Sequence, residues 1–177
     1  RNRYAIIGGN ESERKGIVLA KSNLCKSKGV VTAEAIYSAR RKCPYLEVYP
    51  PNFKVYKYYS DKFFEYLSRY TDVIERYSID ECFIDATSYL KLYNLTAKEL
   101  ARMIIDDVIK TTGICATAGI GTNLFLAKVA LDIRAKHAED FIGYLDINEF
   151  KKHIWHHEPI TDIWNIGRGI AKRLEKY

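Results

Sequence analysis

The sequence predicts a mixed α+β fold, and two observations support that prediction. Short apolar runs of strand length alternate with longer stretches in which apolar residues recur every three or four positions. From about residue 53 onward the predicted order is helix, strand, strand, helix, strand, helix. With one more strand before it, this order gives the split βαβ arrangement of a ferredoxin-like sheet with helices on one face.

The first fifty residues predict a small α/β subdomain. Thr32 can cap its second helix, and Gly29 and Pro44 end the two helical patterns. Two prolines after the last apolar run mark a boundary. The predicted elements are strands at residues 3–9 and 16–22, helices at 23–29 and 32–44, and a strand at 46–51.

The middle of the chain predicts the strands of the main sheet and the helices that pack on it. A long amphipathic helix over residues 53–71 has an aromatic stripe that we expect to face the core. The helix over residues 96–113 has the clearest end signals, with Thr96 and Glu99 at its start and Gly113 at its end. The other predicted elements are strands at 72–78, 81–87 and 114–121 and a helix at 123–138 capped by Asn123.

Composition and charge narrow the class of protein. The 177 residues have a net charge of +6, which modestly favours nucleic acid or nucleotide as a partner and leaves an ordinary basic protein open. The four cysteines have neither a CxxC pair nor zinc spacing, so we expect reduced packing residues in a cytoplasmic protein. We expect no membrane association, because no apolar run approaches the roughly 18 residues of a membrane span.

Two adjacent acids, Asp80 and Glu81, lie where the pattern otherwise predicts a strand, although acids are unfavourable in strands. Neighbours in a strand point to opposite faces, but at a strand start or hairpin bend both acids can face one point. Two carboxylates there repel each other and need a cation, and Mg²⁺ is suited to carboxylates and substrate phosphates. A solvent-facing bend is the alternative, and we expect Asp85 to be a structural or solvent-facing carboxylate.

Residues 114–128 predict a phosphate site. A buried strand leads through a Gly-containing turn into a helix N-terminus, where free N–H groups and the helix dipole favour anions. The GK[ST] of a Walker loop is missing. Lys128 lies on the same side of the helix as Leu124 and Leu131, so it either serves the phosphate site or snorkels to the surface.

The tail predicts a small, helical, basic module. Gly167 and Gly169, followed by apolar residues, form a pattern that resembles a helix-hairpin-helix. In that motif a glycine-rich turn lets backbone N–H groups approach a DNA phosphate. Arg168 and Lys172 add positive charge. A simple helical turn is the alternative.

Together these patterns resemble the Y-family DNA polymerases, the translesion enzymes of DinB and UmuC type. The stretch YSIDECFIDAT is followed about 30 residues later by ATAGIGTNLFLAKVALDIRAK. The two stretches resemble the family motifs S-[ILF]-D-E and G-[IV]-[GS]-x-[NS]-[KR]-x-[LF]-A-K at the right separation. The stretch from GIVLAKSNLC to EVYPPNF is similar to the fingers of the Gram-positive bacterial branch. The resemblance covers nearly the whole chain.

The resemblance implies three parts of a polymerase and assigns roles to individual residues. Residues 1–51 correspond to most of the fingers, 52–141 to most of the palm, and 142–177 to the start of the thumb. The family's two catalytic, metal-binding carboxylates fall on Asp80 and Glu81.

The resemblance also implies a set of nucleotide contacts. The family's triphosphate-binding lysine falls on Lys128. Asn23 stands where the fingers usually have a triphosphate-contacting Tyr, and Lys26 where they usually have an Arg. These two departures weaken the implied contacts, since lysine keeps the charge of arginine but loses its bidentate fork.

The implied activity of the full-length protein is templated transfer of dNMP from a dNTP to a primer 3′-hydroxyl during DNA damage bypass. Two Mg²⁺ ions serve the reaction when a dNTP is bound. The implied partners are a DNA primer–template, dNTP and, through regions outside this chain, a sliding clamp. The alternatives are a catalytically dead palm-like DNA-binding or interaction module and a nucleotide cyclase.

One family motif has no counterpart in this sequence. It consists of an Asp on the first palm strand, followed by an aromatic residue that excludes ribonucleotides. We therefore expect the chain to be a piece of a longer polymerase and to be inactive in isolation.

Overall fold

The structure is a computed structural model that describes residues 3–9 and 16–176. The chain divides into two compact units, Arg1–Tyr56 and Lys57–Tyr177, and both contain helices and strands. The α+β class predicted from the sequence is therefore confirmed. The division lies close to the predicted end of the first part at residue 51, and the further division of the second unit stays a prediction.

A three-stranded sheet organises the N-terminal unit. Its strands are β1 (Ala5–Gly8), β2 (Val18–Lys21) and β3 (Glu47–Tyr49), in the order β2-β1-β3. β1 pairs antiparallel with β2 and parallel with β3, so the three strands predicted in this region are confirmed. The link between β1 and β2 includes residues 10–15, which lie outside the described residues.

Two short helices, α1 (Asn23–Ser27) and α2 (Ile36–Lys42), share one buried apolar cluster with these strands. Gly29 follows α1 with a φ of 77°, a left-handed conformation that glycine adopts without strain. The predicted end of α1 is therefore confirmed. The buried cluster comprises Ile6, Val18, Cys25, Val30, Ile36, Ala39, Cys43 and Leu46.

The predicted cap of α2 is wrong. The helix begins after Ala35, which makes no side-chain cap hydrogen bond. Thr32 instead accepts a hydrogen bond from the Lys21 ammonium group at 2.9 Å. Ala33, with a φ of 69°, separates Thr32 from the helix, because a residue in the left-handed region cannot continue a right-handed helix.

The C-terminal unit contains two strand pairs. β4 (Ile74–Arg76) and β5 (Cys82–Ile84) are antiparallel, whereas β6 (Ala118–Gly121) and β7 (Ile142–Leu145) are parallel. Within the described residues no strand hydrogen bonds join the two pairs. β4, β5 and β6 were predicted, whereas β7 was not, and it directly precedes the tail from residue 146 that we expected to be helical.

Helices of different length accompany these strands. The predicted helix with the clearest end signals is confirmed as α5, since Thr96 and Glu99 form a reciprocal capping box and Gly113 ends the helix in the left-handed conformation. The helices are α3 (Phe53–Leu67), which begins in the first unit, α4 (Thr87–Tyr93), α5 (Ala97–Thr112), α6 (Leu124–Val129), α7 (Ile147–His153) and α8 (Arg168–Leu174).

The helix predicted from residue 123 changes its hydrogen-bonding pattern along its length. Asn123 Oδ1 accepts the backbone N–H of Leu126 at 2.9 Å, so the predicted cap is confirmed. α6 then continues into a π-helical turn, Ala130–Arg134, and a 3-10 turn, Ala135–His137. Neither turn was predicted, and α4 was also missed.

The predicted core stripe of α3 is confirmed at Leu67 and wrong at Tyr59, while its other members are half-buried. We expected Tyr59 among the core residues, but it is 40% exposed, and the buried residues of the helix are Phe64 and Leu67. Tyrosine satisfies the helical spacing of a core stripe while its ring and hydroxyl remain compatible with a wet surface. The expected stripe was Tyr56, Tyr59, Phe63, Tyr66, Leu67 and Tyr70.

Gly119 lets β6 approach the backbone of the helix that follows it. A Cβ atom at this position would lie 2.1 Å from the carbonyl oxygen of Ala127 and 2.4 Å from the backbone nitrogen of Leu131. Both distances are far shorter than a van der Waals contact. The missing side chain therefore sets the position of the helix that carries Lys128.

Gly119→Ala is expected to destabilise the C-terminal unit by about 2–3 kcal/mol, because the collision involves backbone atoms that cannot rotate away. Urea unfolding followed by circular dichroism measures the change. Gly167→Ala is the matched control, since a Cβ atom there meets nothing within 4 Å. An unfolding midpoint of Gly119→Ala equal to that of the control would contradict the close approach.

Over the described part of the chain, the helices are all too short or too polar to span a bilayer.

Candidate active site

The two adjacent acids lie at the bend between β4 and β5. The backbone N–H groups of Tyr77 and Ser78 both donate to the carbonyl oxygen of Glu81 at 3.0 Å, which closes the bend. Asp80 is exposed within the bend, and Glu81 is half-buried just before β5. The acids therefore stand outside the regular strand, where the alternation of faces no longer separates them.

Two serines hold this bend in place. Ser78 Oγ donates to Asp80 Oδ1 at 2.9 Å. The hydroxyl of Ser60, on α3, donates to the carbonyl oxygen of Ile79. The orientation of the Asp80 carboxylate is thus fixed from within the bend, while the bend itself is tied to a helix.

Lys128 reaches the same bend from α6. Its ammonium nitrogen lies 2.5 Å from Glu81 Oε1 and 3.3 Å from Asp132 Oδ2, and the residue is only 8% exposed. Burial by itself would lower the pKa of Lys128, but the hydrogen bond to Glu81 and the charge of Asp132 outweigh it and raise the pKa. Lys128 is therefore a buried cation held by two carboxylates and does not snorkel to the surface.

Asp132 pairs with two lysines, Lys128 and Lys136. It lies four residues after Lys128 and also accepts a hydrogen bond from the Lys136 ammonium group at 2.8 Å. Residues four apart on a helix lie on the same face. Asp132 is therefore a second carboxylate that holds the Lys128 ammonium group beside Glu81.

Asp85 has a structural task, in agreement with its prediction. Its Oδ1 accepts the backbone N–H of Thr87 at 3.0 Å, at the first turn of α4. Hydrogen bonds from the Thr87 side chain and backbone lower the pKa of Asp85, because they stabilise the ionised form. This carboxylate serves the helix end and is not directed at the bend.

Cys82, next to Glu81, is expected to react slowly with iodoacetamide. Burial raises the pKa of its thiol to about 11, so the reactive thiolate is scarce at about pH 8. Cys115 is exposed and provides the internal comparison. Mass spectrometry after brief alkylation should find Cys115 labelled first, and equal labelling of the two would contradict the burial of Cys82.

The predicted nucleotide contacts Asn23 and Lys26 lie in the N-terminal unit. Both are exposed residues of α1, three positions apart and hence on neighbouring positions of one helix face. The helix begins after Ser22, whose hydroxyl oxygen accepts the backbone N–H of Cys25 at 3.3 Å. Their contact with a triphosphate stays a prediction.

The residues predicted to bind DNA lie on and just before α8, with Gly167, Arg168 and Gly169 at its start and Lys172 in its last turn. Gly167 is the residue before the helix, and Arg168, Gly169 and Lys172 belong to the helix. All four are exposed, and a Cβ atom at either glycine would meet nothing within 4 Å. The glycine backbone is therefore open to a large ligand, and DNA binding stays a prediction.

The acidic pair fits a hard divalent cation in the type of its donor atoms, since carboxylate oxygens are the ligands that such ions prefer. Asp80 is exposed, and the hydrogen bond from Lys128 engages only one of the two oxygens of Glu81. Within residues 3–9 and 16–176, no group of three or more His, Cys, Asp and Glu side chains is arranged to hold a metal. The described residues thus bring two carboxylates to this bend.

Sequence reasoning missed two contributors to this site. Asp132 had a readable signal, because its spacing of four from both Lys128 and Lys136 predicts ion pairs on a helix. Trp164 had none. Its indole N–H donates to the Tyr77 hydroxyl at 3.2 Å across 87 positions of sequence.

Comparison with protein families and curated relatives gives consistent matches. The impB/mucB/samB family matches residues 1–132. DNA polymerase IV of Clostridium acetobutylicum is 37% identical over 172 residues, which are 97% of this chain and 42% of that protein. DNA polymerase IV 2 of Bacillus subtilis is 36% identical over 176 residues, 99% of this chain and 42% of that protein. The chain spans about 42% of the length of these relatives.

Solved structures with the same fold include a ternary complex of a DNA polymerase. The structure described as the insertion ternary complex of Dbh DNA polymerase has a TM-score of 0.84 at 25% identity, over 99% of this chain and 50% of that chain. DinB from Sulfolobus solfataricus has a TM-score of 0.81 at 24% identity, with the same coverage. The second likeness concerns the fold alone.

Proposed function

The chain belongs to the impB/mucB/samB family, the Y family of DNA polymerases, and we propose that it supplies the catalytic centre of a translesion DNA polymerase. The full-length protein transfers dNMP from a dNTP to a primer 3′-hydroxyl opposite a template, including damaged template. Residues 1–51 act as fingers, 52–141 as palm and 142–177 as the start of the thumb.

One observation carries this proposal. The two family motifs meet in the 2.5 Å ion pair between Glu81 and Lys128, which lie 47 positions apart in the sequence. A metal-binding carboxylate and a triphosphate-binding cation need to act on the same substrate group, because the metal and the lysine neutralise neighbouring phosphate oxygens. The contact supports a shared role of the two motifs.

Asp80 and Glu81 are proposed to hold the metal. DNA polymerases of this family commonly use divalent metal ions, and the hard carboxylate donors favour Mg²⁺. When bound, Mg²⁺ activates the attacking hydroxyl and stabilises the leaving oxygens. Asp80 and Glu81 would hold the ion, and Ser78 fixes the orientation of the Asp80 carboxylate.

Lys128 is proposed to change partners when a nucleotide binds. In the structure its charge is shared between Glu81 and Asp132, and a triphosphate offers a stronger anion at the same place. Arginine and lysine near phosphates act through charge, and lysine does so as a point charge that can move between acceptors. Asn23 and Lys26 are proposed to contact the triphosphate as well.

The exposed start of α8 is proposed to contact the DNA backbone. Gly167 and Gly169 leave the main chain accessible, and Arg168 and Lys172 add positive charge. Phosphate contacts of this kind give affinity without sequence preference. We also propose that the full-length protein acts in the cytoplasm and that a sliding clamp is one of its partners.

Primer extension by the full-length protein tests the proposed function. We expect extension of an undamaged and an abasic template with Mg²⁺ and all four dNTPs, and no extension when the metal is removed with EDTA. A catalytically dead module would bind the primer–template without extending it under any of these conditions. That result would overturn the proposal.

A further inference from the structure

Trp164 packs against the strand hairpin that carries the two acids. Its ring lies 5.9 Å from the ring of Tyr77, in an edge-to-face arrangement, and 6.1 Å from the ring of Phe83. Tyr77 and Phe83 contact each other at 5.5 Å, and the indole N–H donates to the Tyr77 hydroxyl at 3.2 Å. Three rings and one hydrogen bond thus connect residue 164 to the hairpin.

The residues around Trp164 also pack into the apolar core that includes residues of α6, the helix of Lys128. Ile163 is buried in one apolar cluster with Leu126 and Val129, the neighbours of Lys128 on α6. Trp164 itself packs against that cluster. The segment around Trp164 therefore contacts both structures that form the candidate site, the acidic bend and the lysine helix.

Tyr77 is the residue through which Trp164 reaches the acids and the lysine. Its backbone N–H donates to the carbonyl oxygen of Glu81 and closes the bend. The face of its ring lies 5.9 Å from the Lys128 ammonium nitrogen, within the range of a cation–π interaction. A shift of the Tyr77 ring would move the bend and would remove one wall from around Lys128.

We propose that Trp164 is a positioning residue of the polymerase centre, which holds Tyr77 so that the bend with Asp80 and Glu81 keeps its register against Lys128. The inference rests on the proposed function and adds a role for the C-terminal segment, which lies beyond the 132 residues matched by the family. Trp164 touches no reacting group; it acts through Tyr77. Misplacement of a catalytic group by about 1 Å can lower a rate about 100-fold.

The chain contains its own control for this proposal. Trp155 is the second tryptophan, 62% exposed, and its ring packs edge-to-face on Phe150 at 6.3 Å. It lies nine positions before Trp164. Replacing either tryptophan by alanine removes the same atoms, but only Trp164 contacts the hairpin. A general weakening of the tail would affect both variants alike.

Steady-state extension by the full-length protein tests the catalytic part. For Trp164→Ala we expect kcat/KM for dNTP to fall about ten-fold, a change of about 1.4 kcal/mol, with DNA affinity within about two-fold of wild type. Trp155→Ala should stay within about two-fold in both. Trp164→Phe keeps a ring without the N–H donor, so we expect an intermediate loss. Equal losses in the two alanine variants, or a fall in DNA affinity that explains the whole loss, would overturn the proposal.

Hydrogen exchange tests the positioning without reference to activity. The amide protons of Tyr77 and Ser78, both bonded to Glu81, should exchange faster in Trp164→Ala than in Trp155→Ala, and Tyr77→Phe should show part of the same effect. If Trp164→Ala does not fold, the amide exchange rates of Trp164→Phe and Tyr77→Phe test the proposal instead. Unchanged exchange in the folded variants overturns the positioning role even if the protein is a polymerase. Faster exchange in a protein without polymerase activity would instead contradict the proposed function.

Discussion

Replacing Asp80 by asparagine in the full-length protein is expected to lower kcat for primer extension at least about 10³-fold, a loss of about 4 kcal/mol of transition-state stabilisation. Asparagine keeps the shape of the side chain and can still accept the hydrogen bond from Ser78, but it removes the charge that a divalent cation requires. Asp80 is exposed within the bend, so the fold should be unchanged. Single-turnover extension at saturating dNTP measures the loss.

Asp85→Asn is the matched control for this variant. Asp85 is also an exposed carboxylate of the same hairpin region, but its hydrogen bond with Thr87 belongs to the end of α4. We expect kcat within about two-fold of wild type and a loss of stability below about 1 kcal/mol, because asparagine can still accept the backbone N–H of Thr87. Normal extension by Asp80→Asn, or equal losses in the two variants, would show that the metal-binding assignment is wrong.

Replacing Lys128 by methionine is expected to lower kcat/KM for dNTP about 10²–10³-fold, because the triphosphate loses its cation. The variant should also be about 1–2 kcal/mol less stable, since Glu81 loses its cation and Asp132 keeps only Lys136 as a partner. The loss of stability stays below that of a fully buried ion pair, because the side chains of Glu81 and Asp132 are 33% and 23% exposed. Methionine preserves the apolar stem of lysine. Initial rates over a range of dNTP concentrations and urea unfolding measure the two effects.

The stability effect of Lys128 has a defined pH dependence. Its pKa is raised above the ordinary lysine value of 10.5, so the ion pair contributes fully below that pH and is lost only as the pH rises through the raised pKa. The stability difference between wild type and Lys128→Met should therefore be constant from about pH 7 to about pH 10. A difference that falls steadily across this range would contradict the raised pKa.

Lys136→Met provides the control for the loss of positive charge. Lys136 binds the same Asp132 as Lys128, but its side chain is 54% exposed. Exposed ion pairs contribute at most about 1 kcal/mol, and we expect kcat/KM for dNTP to change less than about three-fold. A loss as large as that of Lys128→Met would mean that the general charge of the helix, and not the position of Lys128, supports nucleotide binding.

Most signals that reside within a few consecutive residues were read correctly, with the cap at Thr32 as the exception. The capping box of Thr96 and Glu99, the end of α5 at Gly113 and the cap at Asn123 all have the predicted hydrogen bonds or backbone conformation. Such ends depend on local geometry, because a side chain satisfies an N–H only two or three positions away. The position of Asp80 and Glu81 at a hairpin bend was predictable for the same reason.

Predictions that depended on which face is buried were less successful. The tyrosines of α3 have the spacing of a core stripe, yet Tyr59 is 40% exposed, and the residue that is buried beside the predicted Leu67 is Phe64. β7 was missed because four residues do not establish a period. Burial and strand pairing depend on which other helix or strand packs against a segment. The spacing of apolar residues along that segment does not specify this.

Sequence alone was sufficient for the α+β class, the family motifs and the identity of the acids and the lysine, because each of these resides in short contiguous patterns. Tertiary structure was needed to show that Lys128 is buried beside Glu81 and Asp132, and that the Trp164 indole donates a hydrogen bond to Tyr77. These contacts join residues 47 and 87 positions apart. They exist because close backbone packing, as at Gly119 against α6, sets the distance between elements, and that distance depends on every element packed around the site at once.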